Sequence, residues 1–501
     1  MIIKKSNIVK INLPLGIVSS GDLHAIMCAA ENAQVKDVQF GVRQQLYCKV
    51  AEKFLNGFVE SLEKIKISYE INEEIYPNIV SSYVTEDVFQ NANWLSEGVY
   101  KDILDLFDFQ PKLKININDN MQTFVPFFTG NINFISSNTN NYWYLYVRFP
   151  KTTHMYRWPA LIYTEDIPRI CKVLEATIAE NKNLYQDRDF INGNALYAKV
   201  HNKETFIVQP VTEELKVPDF GMPYYEGFNR YGNKSWLGIY KREELFSVAF
   251  LKDVCSICLK TKIGQIYSTP WKSLIINGIQ QPDRKLWDFV LNEHRINVRH
   301  ASNELNWQVE DLCEEGLSLK RYLVRQFDKD DVRTFGLFFA IKTKPKTGLF
   351  GSVIIRKQQK PASVKYKITD RFDILYSSNF NPNSKEYILF RSDVERENLE
   401  TYLLSLCKYY YELKNEATDV NHAAFRRTEE VKEEAPALVL IHQCPHCFTI
   451  YDEIYGDAVN DIAPGTTFAE LKDEYECPTC GAAKDEFVPI AKPSLVENNG
   501  N

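Results

Sequence analysis

The sequence predicts a multidomain α/β (α+β) protein, in which a large body with internal twofold repetition precedes a small C-terminal metal-binding domain. Three observations support this prediction. The chain has 501 residues, more than one ordinary domain contains. A strand–helix–strand–helix pattern recurs roughly 220 residues after its first appearance. Two C-x-x-C pairs near the C-terminus supply four thiols at the spacing of a single metal site.

The repeat becomes visible when residues 15–23 (LGIVSSGDL) are aligned with residues 237–245 (LGIYKREEL), because an apolar helical stretch follows each segment. A β-rich run and a second amphipathic helix then follow in both copies: residues 38–47 and 54–65 in the first, residues 265–278 and 286–294 in the second. The recurrence predicts a body with pseudo-twofold symmetry.

The end of the body is indicated by a change in composition. Ser392 and Glu395 have the spacing of a capping box, and apolar residues at helical spacing follow to about Asn415. Residues 416–436 are polar and rich in charge, which predicts a linker, over residues 416–440, that tethers the C-terminal domain.

The C-terminal cysteines are Cys444, Cys447, Cys477 and Cys480. Two C-x-x-C pairs can place four thiolates at the corners of a tetrahedron, and this soft ligand set selects zinc or iron over hard cations. The spacing alone does not choose between these two metals.

The residues around the cysteines make that choice. Residues 464–468 form a P-G-T-x-F sequence, residues 477–481 form C-P-x-C-G, and aromatic residues recur at Tyr451, Phe468, Tyr475 and Phe487. In these features residues 441–490 resemble rubredoxin. The resemblance implies one iron, bound by the four cysteines, that alternates between Fe(III) and Fe(II) without an open coordination position. A zinc ribbon with a purely structural role is the alternative interpretation.

Two residues depart from the rubredoxin pattern. Phe448 replaces the usual glycine, so a backbone position that favours positive φ carries a bulky side chain, at a cost of roughly 1 kcal/mol or more. Tyr475 replaces the usual tryptophan and keeps an aromatic ring beside the metal. We expect His446 to lie at the surface rather than to bind metal, because four thiolates already complete the coordination shell.

Composition and charge exclude several classes of protein. The chain lacks a secretory h-region at its start and any apolar stretch of the ~20 residues that cross a bilayer, so we expect a cytoplasmic protein with neither membrane nor nucleic-acid partners. We expect the other seven cysteines to be reduced thiols, because they are scattered through hydrophobic sequence. Residues 441–490 carry a net charge of −8, against −7 for the whole chain. This acidic surface either steers the domain towards a basic redox partner or simply favours solubility.

The body resembles the sirohaem-containing nitrite and sulfite reductases. The residues that carry this resemblance are the L-G-I-V-x-x-x-x-L opening at residues 15–23, Val42-Arg43-Gln44, residues 76–80, residues 269–271 and residues 275–279. It implies two ferredoxin-like half-domains packed against two α/β domains, with sirohaem bridged to a [4Fe–4S] cluster. The predicted boundaries are 12–84 and 236–300 for the half-domains, 85–235 and 301–415 for the α/β domains, 416–440 for the linker, and 441–490 for the rubredoxin-like domain.

The cysteines that would hold the cluster are missing. Where these reductases have a C-x5-C motif, residues 307–313 retain only Cys313, and residues 342–351 have no cysteine in place of the second motif. Because a [4Fe–4S] cluster needs four ligands, we expect none in this protein. The Cys255-x-x-Cys258 pair lies on a predicted helix, where core packing is a better explanation than metal binding.

Sirohaem binding stays open, because its carboxylates need basic side chains more than cysteines. The candidates are Arg43, which corresponds to an arginine at the sirohaem site of the reductases, and Arg148, Lys151 and Arg157, which lie in a basic and aromatic segment.

Three functions remain open. The first is an electron carrier that takes electrons from a reductase and passes them to an acceptor, such as a nitrite or sulfite reductase. The second is a sirohaem enzyme that uses the rubredoxin-like domain as its internal electron donor. The third is a cofactor-free platform that presents this domain to a partner reductase.

Overall fold

The computed structural model describes residues 6–89, 94–152, 154–186, 191–332, 334–345, 348–359, 369–384, 386–426 and 440–491. The chain divides into two compact units, residues 1–414 and residues 415–501. The first unit is the body, and the second contains the four C-terminal cysteines. Within the described residues, no helix combines the length and the apolar character that crossing a membrane requires.

The first repeat is an antiparallel sheet covered by two helices. Its elements are β1 (Ser6–Ile11), β2 (Ile17–Ser19), α1 (Ser20–Asn32), β3 (Asp37–Phe40), β4 (Leu46–Ala51), α2 (Glu52–Lys64) and β5 (Glu70–Ile71). Strands pair in the order β3-β4-β1-β5. Helix α1 begins where the Ser19 hydroxyl accepts a hydrogen bond from the Asp22 amide at 2.9 Å.

A larger sheet follows the first repeat. Its elements are β6 (Val80–Ser81), α3 (Tyr83–Val88), α4 (Glu97–Asp105), β7 (Ile115–Asn118), β8 (Ile132–Ser136), β9 (Tyr142–Arg148), β10 (Met155–Arg157), β11 (Ala160–Tyr163), α5 (Ile167–Glu180), α6 (Lys182–Tyr185), α7 (Gly193–Lys203) and β12 (Val208–Pro210). The strand order is β12-β11-β9-β8-β7-β6, and β10 also pairs with β9. Strands β6, β7 and β8 are parallel, whereas β9 is antiparallel to β8.

The second repeat contains β13 (Gly227–Tyr231), β14 (Lys234–Ile239), β15 (Phe246–Ser247), α8 (Val248–Lys260), β16 (Gln265–Ser268), β17 (Leu274–Gln280) and α9 (Arg284–Glu293). It has the succession of the first, except that its extra strand, β13, precedes the shared elements whereas β5 follows them in the first. Strands pair in the order β13-β14-β17-β16. Both predicted pairs of helices and β-rich runs are therefore present.

The two repeats exchange strands. Strand β2 of the first repeat pairs with β16 of the second, and β15 of the second pairs with β3 of the first. Helices α1 and α8 pack against each other in one shared hydrophobic core. The predicted pseudo-twofold body is confirmed, because each sheet is completed by the other copy.

The alignment of residues 15–23 with residues 237–245 is wrong by six positions. Equivalent residues lie 228 positions apart, as the helix caps Ser19 and Ser247 and the left-handed turn residues Gln44 and Lys272 demonstrate. Residues 237–239 lie inside β14, the counterpart of β1, whereas residues 15–17 lead into β2. The shared Leu-Gly-Ile sequence is thus a coincidence between two different structural positions.

The rest of the body contains α10 (Ser302–Leu305), β18 (Trp307–Val309), α11 (Glu314–Lys329), β19 (Phe339–Lys342), β20 (Val353–Lys357), β21 (Arg371–Ser377), β22 (Tyr387–Glu395) and α12 (Leu399–Arg426). Strands β18, β19 and β20 are parallel and β21 is antiparallel, which repeats the pattern of β6 to β9. Helix α12 starts at Leu399, not at Ser392, because Ser392 and Glu395 lie in β22 beside β21. It continues to Arg426, and residues 427–439 of the predicted linker lie outside the described residues.

The C-terminal unit is built on a small antiparallel sheet. Strands β23 (Leu440–Gln443), β24 (Ile450–Tyr451) and β25 (Val488–Ala491) pair in the order β24-β23-β25. Its core is aromatic: Tyr451, Phe468, Tyr475 and Phe487 have neighbouring ring centroids 5.5–6.4 Å apart. The finer domain boundaries given above stay predictions.

Candidate functional site

Two turns of the same geometry present the four C-terminal thiols. In the first turn, the Phe448 amide donates to the Cys444 carbonyl at 2.9 Å, and the Cys444 amide donates to the Thr449 carbonyl at 2.8 Å. In the second turn, Gly481 and Cys477 donate equivalent bonds at 2.9 and 2.8 Å. Each C-x-x-C sequence therefore folds by local hydrogen bonds into a knuckle that directs its two thiols the same way.

The four sulfur atoms lie within 4.8 Å of one another. The Sγ–Sγ distance is 3.5 Å between Cys444 and Cys480 and 3.4 Å between Cys447 and Cys477. A tetrahedron with metal–sulfur bonds of about 2.3 Å has edges of about 3.8 Å. The thiols therefore fit a single tetrathiolate-bound metal ion with only a small expansion.

The thiols differ in their ease of ionisation. Hydrogen bonds from the hydroxyl and the backbone amide of Thr449 lower the pKa of Cys447 to about 6. The Ala482 amide also favours the Cys480 thiolate, but burial and the neighbouring thiols raise the pKa of Cys480 to about 12. Four close thiolates repel one another, so a bound cation is needed to ionise the whole set.

The ligand set has an inner and an outer side. Cys444 and Cys477 are buried, Cys447 is half-buried, and Cys480 is exposed. On the inner side, Tyr475 is buried and donates a hydrogen bond to Asp457 at 3.0 Å. The tyrosine thus supplies the aromatic ring expected at the usual tryptophan position.

The two residues singled out beside the first knuckle behave as expected. Phe448 adopts φ 59°, the left-handed conformation that Gly481 adopts at the equivalent place in the second knuckle. For a residue with a side chain this costs roughly 1–2 kcal/mol. His446 is exposed and its Nε2 lies 2.5 Å from Glu486 Oε2, so the ring contacts a carboxylate at the surface.

The two body segments that would hold cluster cysteines converge in space. Cys313 Sγ lies 3.3 Å from Thr343 Oγ1, and the Glu310 carboxylate accepts hydrogen bonds from the amides of Thr343 and Lys344. The Thr343 hydroxyl thus contacts the single thiol, and the Glu310 carboxylate binds the backbone of the same segment. These residues do not fit a [4Fe–4S] cluster.

Cys255 and Cys258 lie buried in α8, and no group of metal-binding side chains within the described ranges includes them. Burial raises the pKa of Cys258 to about 12. Buried, protonated thiols of this kind support core packing rather than metal binding.

The body holds a second group of like side chains, here called the cationic cluster: Arg43, Lys114, Arg148 and Lys342. Arg43 is buried and donates to the carbonyls of Asn78 and Ile115 at 2.7 and 2.9 Å. It also donates to the Asn116 side chain at 3.2 Å, and Arg148 donates to the Thr129 carbonyl at 2.8 Å. Asn116 itself donates to the Thr129 hydroxyl, so the two arginines meet across this pair.

The cations of this cluster destabilise one another's charge. Burial, followed by the Arg148 charge, lowers the pKa of Arg43 to about 9. Burial and the two arginines lower the pKa of Lys114 to about 8, and burial, Arg148 and Arg356 do the same for Lys342. Within the described part of the chain, none of the four cations forms an ion pair with a carboxylate. Asp311, Glu74 and Glu310 oppose these shifts from beyond ion-pair distance without cancelling them.

A compensated ion-pair network lies beside the cluster. Lys272 Nζ lies 2.6 Å from Glu244 and 3.5 Å from Asp311, and Asp311 accepts a hydrogen bond from the Val42 amide at 2.9 Å. Burial opposes the charge of Lys272, but these carboxylates hold its pKa above the ordinary value. Through Asp311, the network connects the turn at Val42 in the first repeat with the turn at Lys272 in the second.

Of the four basic residues selected from the sequence, Arg43 and Arg148 lie in the cationic cluster. Lys151 is exposed in the turn after β9, and Arg157 is exposed and pairs with Glu214 at 2.6 Å. Sequence reasoning missed Lys114 and Lys342. Their one signal was a lysine at the end of an apolar strand segment, which is weak because strand ends usually reach solvent.

Comparisons with known proteins address the two units separately. The rubredoxin family model matches residues 441–487. The rubredoxin of Megasphaera elsdenii is 53% identical over 49 residues, which cover 10% of this chain and 92% of that protein. The probable rubredoxin HupI of Bradyrhizobium diazoefficiens is 50% identical over 48 residues, 10% of this chain and 70% of that protein.

The high molecular weight rubredoxin of Moorella thermoacetica is 38% identical over 82 residues, which cover 16% of this chain and 35% of that protein. This chain thus spans about a third of that relative. Together with the sulfur geometry, these matches support a tetrathiolate site for a single iron.

The body is similar in structure to the Mycobacterium tuberculosis NirA protein. The TM-score is 0.59 at 14% sequence identity, over 80% of this chain and 80% of that one. Because the second unit is short, a match of this extent lies mainly in residues 1–414. At this identity the likeness concerns the fold alone, and it supports the predicted multidomain α/β architecture of the body.

Proposed function

Through residues 441–487 this chain belongs to the rubredoxin family, and on that premise we propose that it is an electron-transfer protein. In this proposal one iron, bound by Cys444, Cys447, Cys477 and Cys480, is tethered to a nitrite/sulfite reductase-like body. The observation that carries the proposal is the convergence of the four sulfur atoms within 4.8 Å.

The partners follow from the one-electron chemistry of the site. An electron-donating reductase supplies the electron, and an acceptor, such as a nitrite or sulfite reductase in the cytoplasm, receives it. The net charge of −8 in residues 441–490 favours basic partner surfaces, because opposite charges accelerate encounter.

The protein's own residues perform three tasks in this function. The thiolates share the charge of the metal, and iron supplies the change between two oxidation states. The aromatic side chains, with Tyr475 at their centre, exclude water from the inner side of the site. The outer cysteines, Cys447 and Cys480, offer the shortest route from the site to solvent.

Metal analysis of the purified full-length chain, combined with a redox titration, tests the proposal. We expect one iron per chain, a red oxidised form that bleaches on reduction, and a reversible one-electron couple. Replacing Cys28, a half-buried thiol of α1, with serine provides a control that keeps the iron and the colour. Full zinc occupancy in protein from iron-replete cells, without a reversible couple, would contradict the electron-transfer function.

The cationic cluster favours a second candidate function, in which the body binds an anionic ligand. Four buried or half-buried cations that form no ion pair with a carboxylate among the described residues fit the carboxylates of sirohaem or a small oxyanion. Arg43, Lys114, Arg148 and Lys342 would hold such a group. In this case the rubredoxin domain serves as the internal electron donor of a haem enzyme.

An absorption spectrum of freshly purified protein distinguishes these functions. Rubredoxin-type bands alone support the carrier, and additional sirohaem bands support the enzyme. A third outcome, in which the body binds no anionic ligand and the chain associates stably with a reductase, indicates a platform that presents the rubredoxin domain. Acid-labile sulfide with about four additional irons per chain would overturn the conclusion that the cluster is lost.

A further inference from the structure

Beside the metal site, Phe448 combines an exposed aromatic side chain with a left-handed backbone conformation. Its side chain is 69% exposed, although it follows the metal-site residue Cys447 directly. Its backbone has φ 59°, a conformation that a glycine would adopt without strain. The chain therefore keeps a large apolar side chain at a position where a glycine would relieve the backbone strain.

The domain does not use this ring for its own packing. The aromatic core consists of other side chains, and within the described residues no aromatic ring contact involves Phe448. Only the backbone of Phe448 has a structural task, because its amide donates to Cys444 and its carbonyl accepts from Gln443. Strain retained without an internal benefit points to a role outside the folded domain.

The surroundings of Phe448 have the composition of a docking surface. Cys480 and Thr479 are exposed, and Cys447 is half-buried, so this side of the domain is where the thiols approach solvent. Ile450 and Val488 flank Gln443 on the neighbouring strands and are 48% and 50% exposed. Acidic side chains lie near both knuckles: Glu486 contacts His446 of the first knuckle, and Glu476 and Asp485 are exposed within five residues of the second knuckle.

We propose that Phe448 is an apolar anchor that inserts into a pocket on a redox partner with a basic rim. This inference rests on the proposed electron-transfer function and identifies the surface that performs it. An exposed aromatic side chain inside a polar rim has the composition of a protein–protein interface. The anchor holds Cys447 against the partner while one electron passes from the reduced site to the partner's one-electron acceptor, and no atom or proton moves with it.

Electron transfer to a basic c-type cytochrome tests the anchor. This probe has lysines around its haem edge and takes up one electron, so it has the chemistry of the proposed partner. The variant Phe448→Gly relieves the backbone strain and removes the ring. We expect its second-order rate constant to fall about tenfold, as for a weak interface hot spot, with the reduction potential and iron content unchanged.

Ile454→Ala is the matched control, because Ile454 is 57% exposed on the same domain and its neighbour Glu453 bonds to Gly465 and Phe468 rather than to the knuckles. It should transfer electrons at the wild-type rate. A second variant, Phe448→Leu, keeps an apolar side chain and should recover part of the rate.

Three outcomes would overturn the anchor. These are a wild-type rate for Phe448→Gly, an equal loss of rate for Ile454→Ala, and loss of iron or of folding in Phe448→Gly, which would assign the ring a structural role. If the wild type has a reversible one-electron couple and the Phe448 variants transfer electrons at its rate, the result contradicts the anchor but not the proposed function. A wild-type chain without a reversible couple contradicts the proposed function as well.

Discussion

The four thiols of the C-terminal unit and the four cations of the body are both groups of like side chains, but they are assembled differently. The thiols lie between residues 444 and 480, on two knuckles that are closed by their own backbone hydrogen bonds. The cations come from residues 43, 114, 148 and 342, which separate strands and loops bring together. One group depends on local turns, and the other depends on the complete body.

The two groups also differ in their electrostatics. Thiols can stay protonated until a metal replaces their protons, so the apo form of the knuckles carries little repulsion. Arginine keeps its proton at neutral pH. Burial and the Arg148 charge lower the pKa of Arg43 only to about 9, so the cationic cluster carries an unfavourable positive charge at neutral pH. A metal completes the first group, and an anion would complete the second.

The largest expected effect is the loss of the metal site without any change in the stability of the body. Cys477→Ser removes one of the four thiolates, so we expect the chain to lose its iron and its red colour. Circular dichroism and chemical denaturation should show a body as stable as in the wild type, because the cysteine lies in the second compact unit. Loss of body folding in this variant would show that the two regions are not independent.

Arg43→Ala tests the dependence of the cationic cluster on the body. The substitution leaves the buried carbonyls of Asn78 and Ile115 without their donor, and we expect it to destabilise the body by about 2–3 kcal/mol. Urea denaturation provides the measurement, and the iron site should keep its spectrum. Arg157→Ala is the control, since this exposed residue pairs only at the surface and should cost less than about 1 kcal/mol.

The lysines of the cluster predict how stability changes with pH. The pKa of Lys114 is lowered to about 8 in the folded body, below its ordinary value of 10.5, so the unfolded chain binds more protons between these two values. Stability should therefore rise as the pH increases from about 8 towards 10.5. Comparing urea denaturation of the wild type and of Lys114→Met over this range isolates the contribution, and the variant should have the smaller slope. Equal slopes would mean that Lys114 titrates normally in the folded state.

The smallest expected effect concerns the thiol group. Thr449 Oγ1 lies 3.0 Å from Cys447 Sγ and 2.8 Å from Thr479 Oγ1. Because a metal-bound thiolate can only accept a hydrogen bond, the Thr449 hydroxyl would donate to Cys447 once the metal is bound. This bond favours the more negative, reduced site. We expect Thr449→Val to lower the reduction potential by on the order of 20–50 mV in protein-film voltammetry. Thr466→Val, which removes a hydroxyl bonded to the Ala463 carbonyl, should leave the potential unchanged.

The C-terminal site could be predicted from the sequence because its determinants are local. The spacing of Cys444, Cys447, Cys477 and Cys480, and the aromatic residues between them, describe a complete fold of about fifty residues. Even the left-handed backbone of Phe448 follows from its place after a knuckle. The duplication of the body was also visible, because the order of helices and strands is a local property of the chain.

The register of that duplication was not visible. Residues 15–17 and 237–239 share the sequence Leu-Gly-Ile, yet one segment enters an exchanged strand and the other lies inside β14. Ser392 and Glu395 have the spacing of a helix cap, but pairing with β21 keeps them in a strand. In both cases, hydrogen bonding to a distant strand outweighs a weak local preference.

By itself the sequence determined the metal-binding domain, the α/β class of the body and the absence of cluster cysteines at residues 307–313 and 342–351. Only the tertiary structure decided which basic side chains meet, placing Lys114 and Lys342 beside Arg43 and Arg148 and leaving Lys151 and Arg157 at the surface. The physical reason is the range of the interactions. A thiolate knuckle is closed by hydrogen bonds within six residues, whereas a cluster of charges forms where strands from opposite ends of the body converge and exclude water.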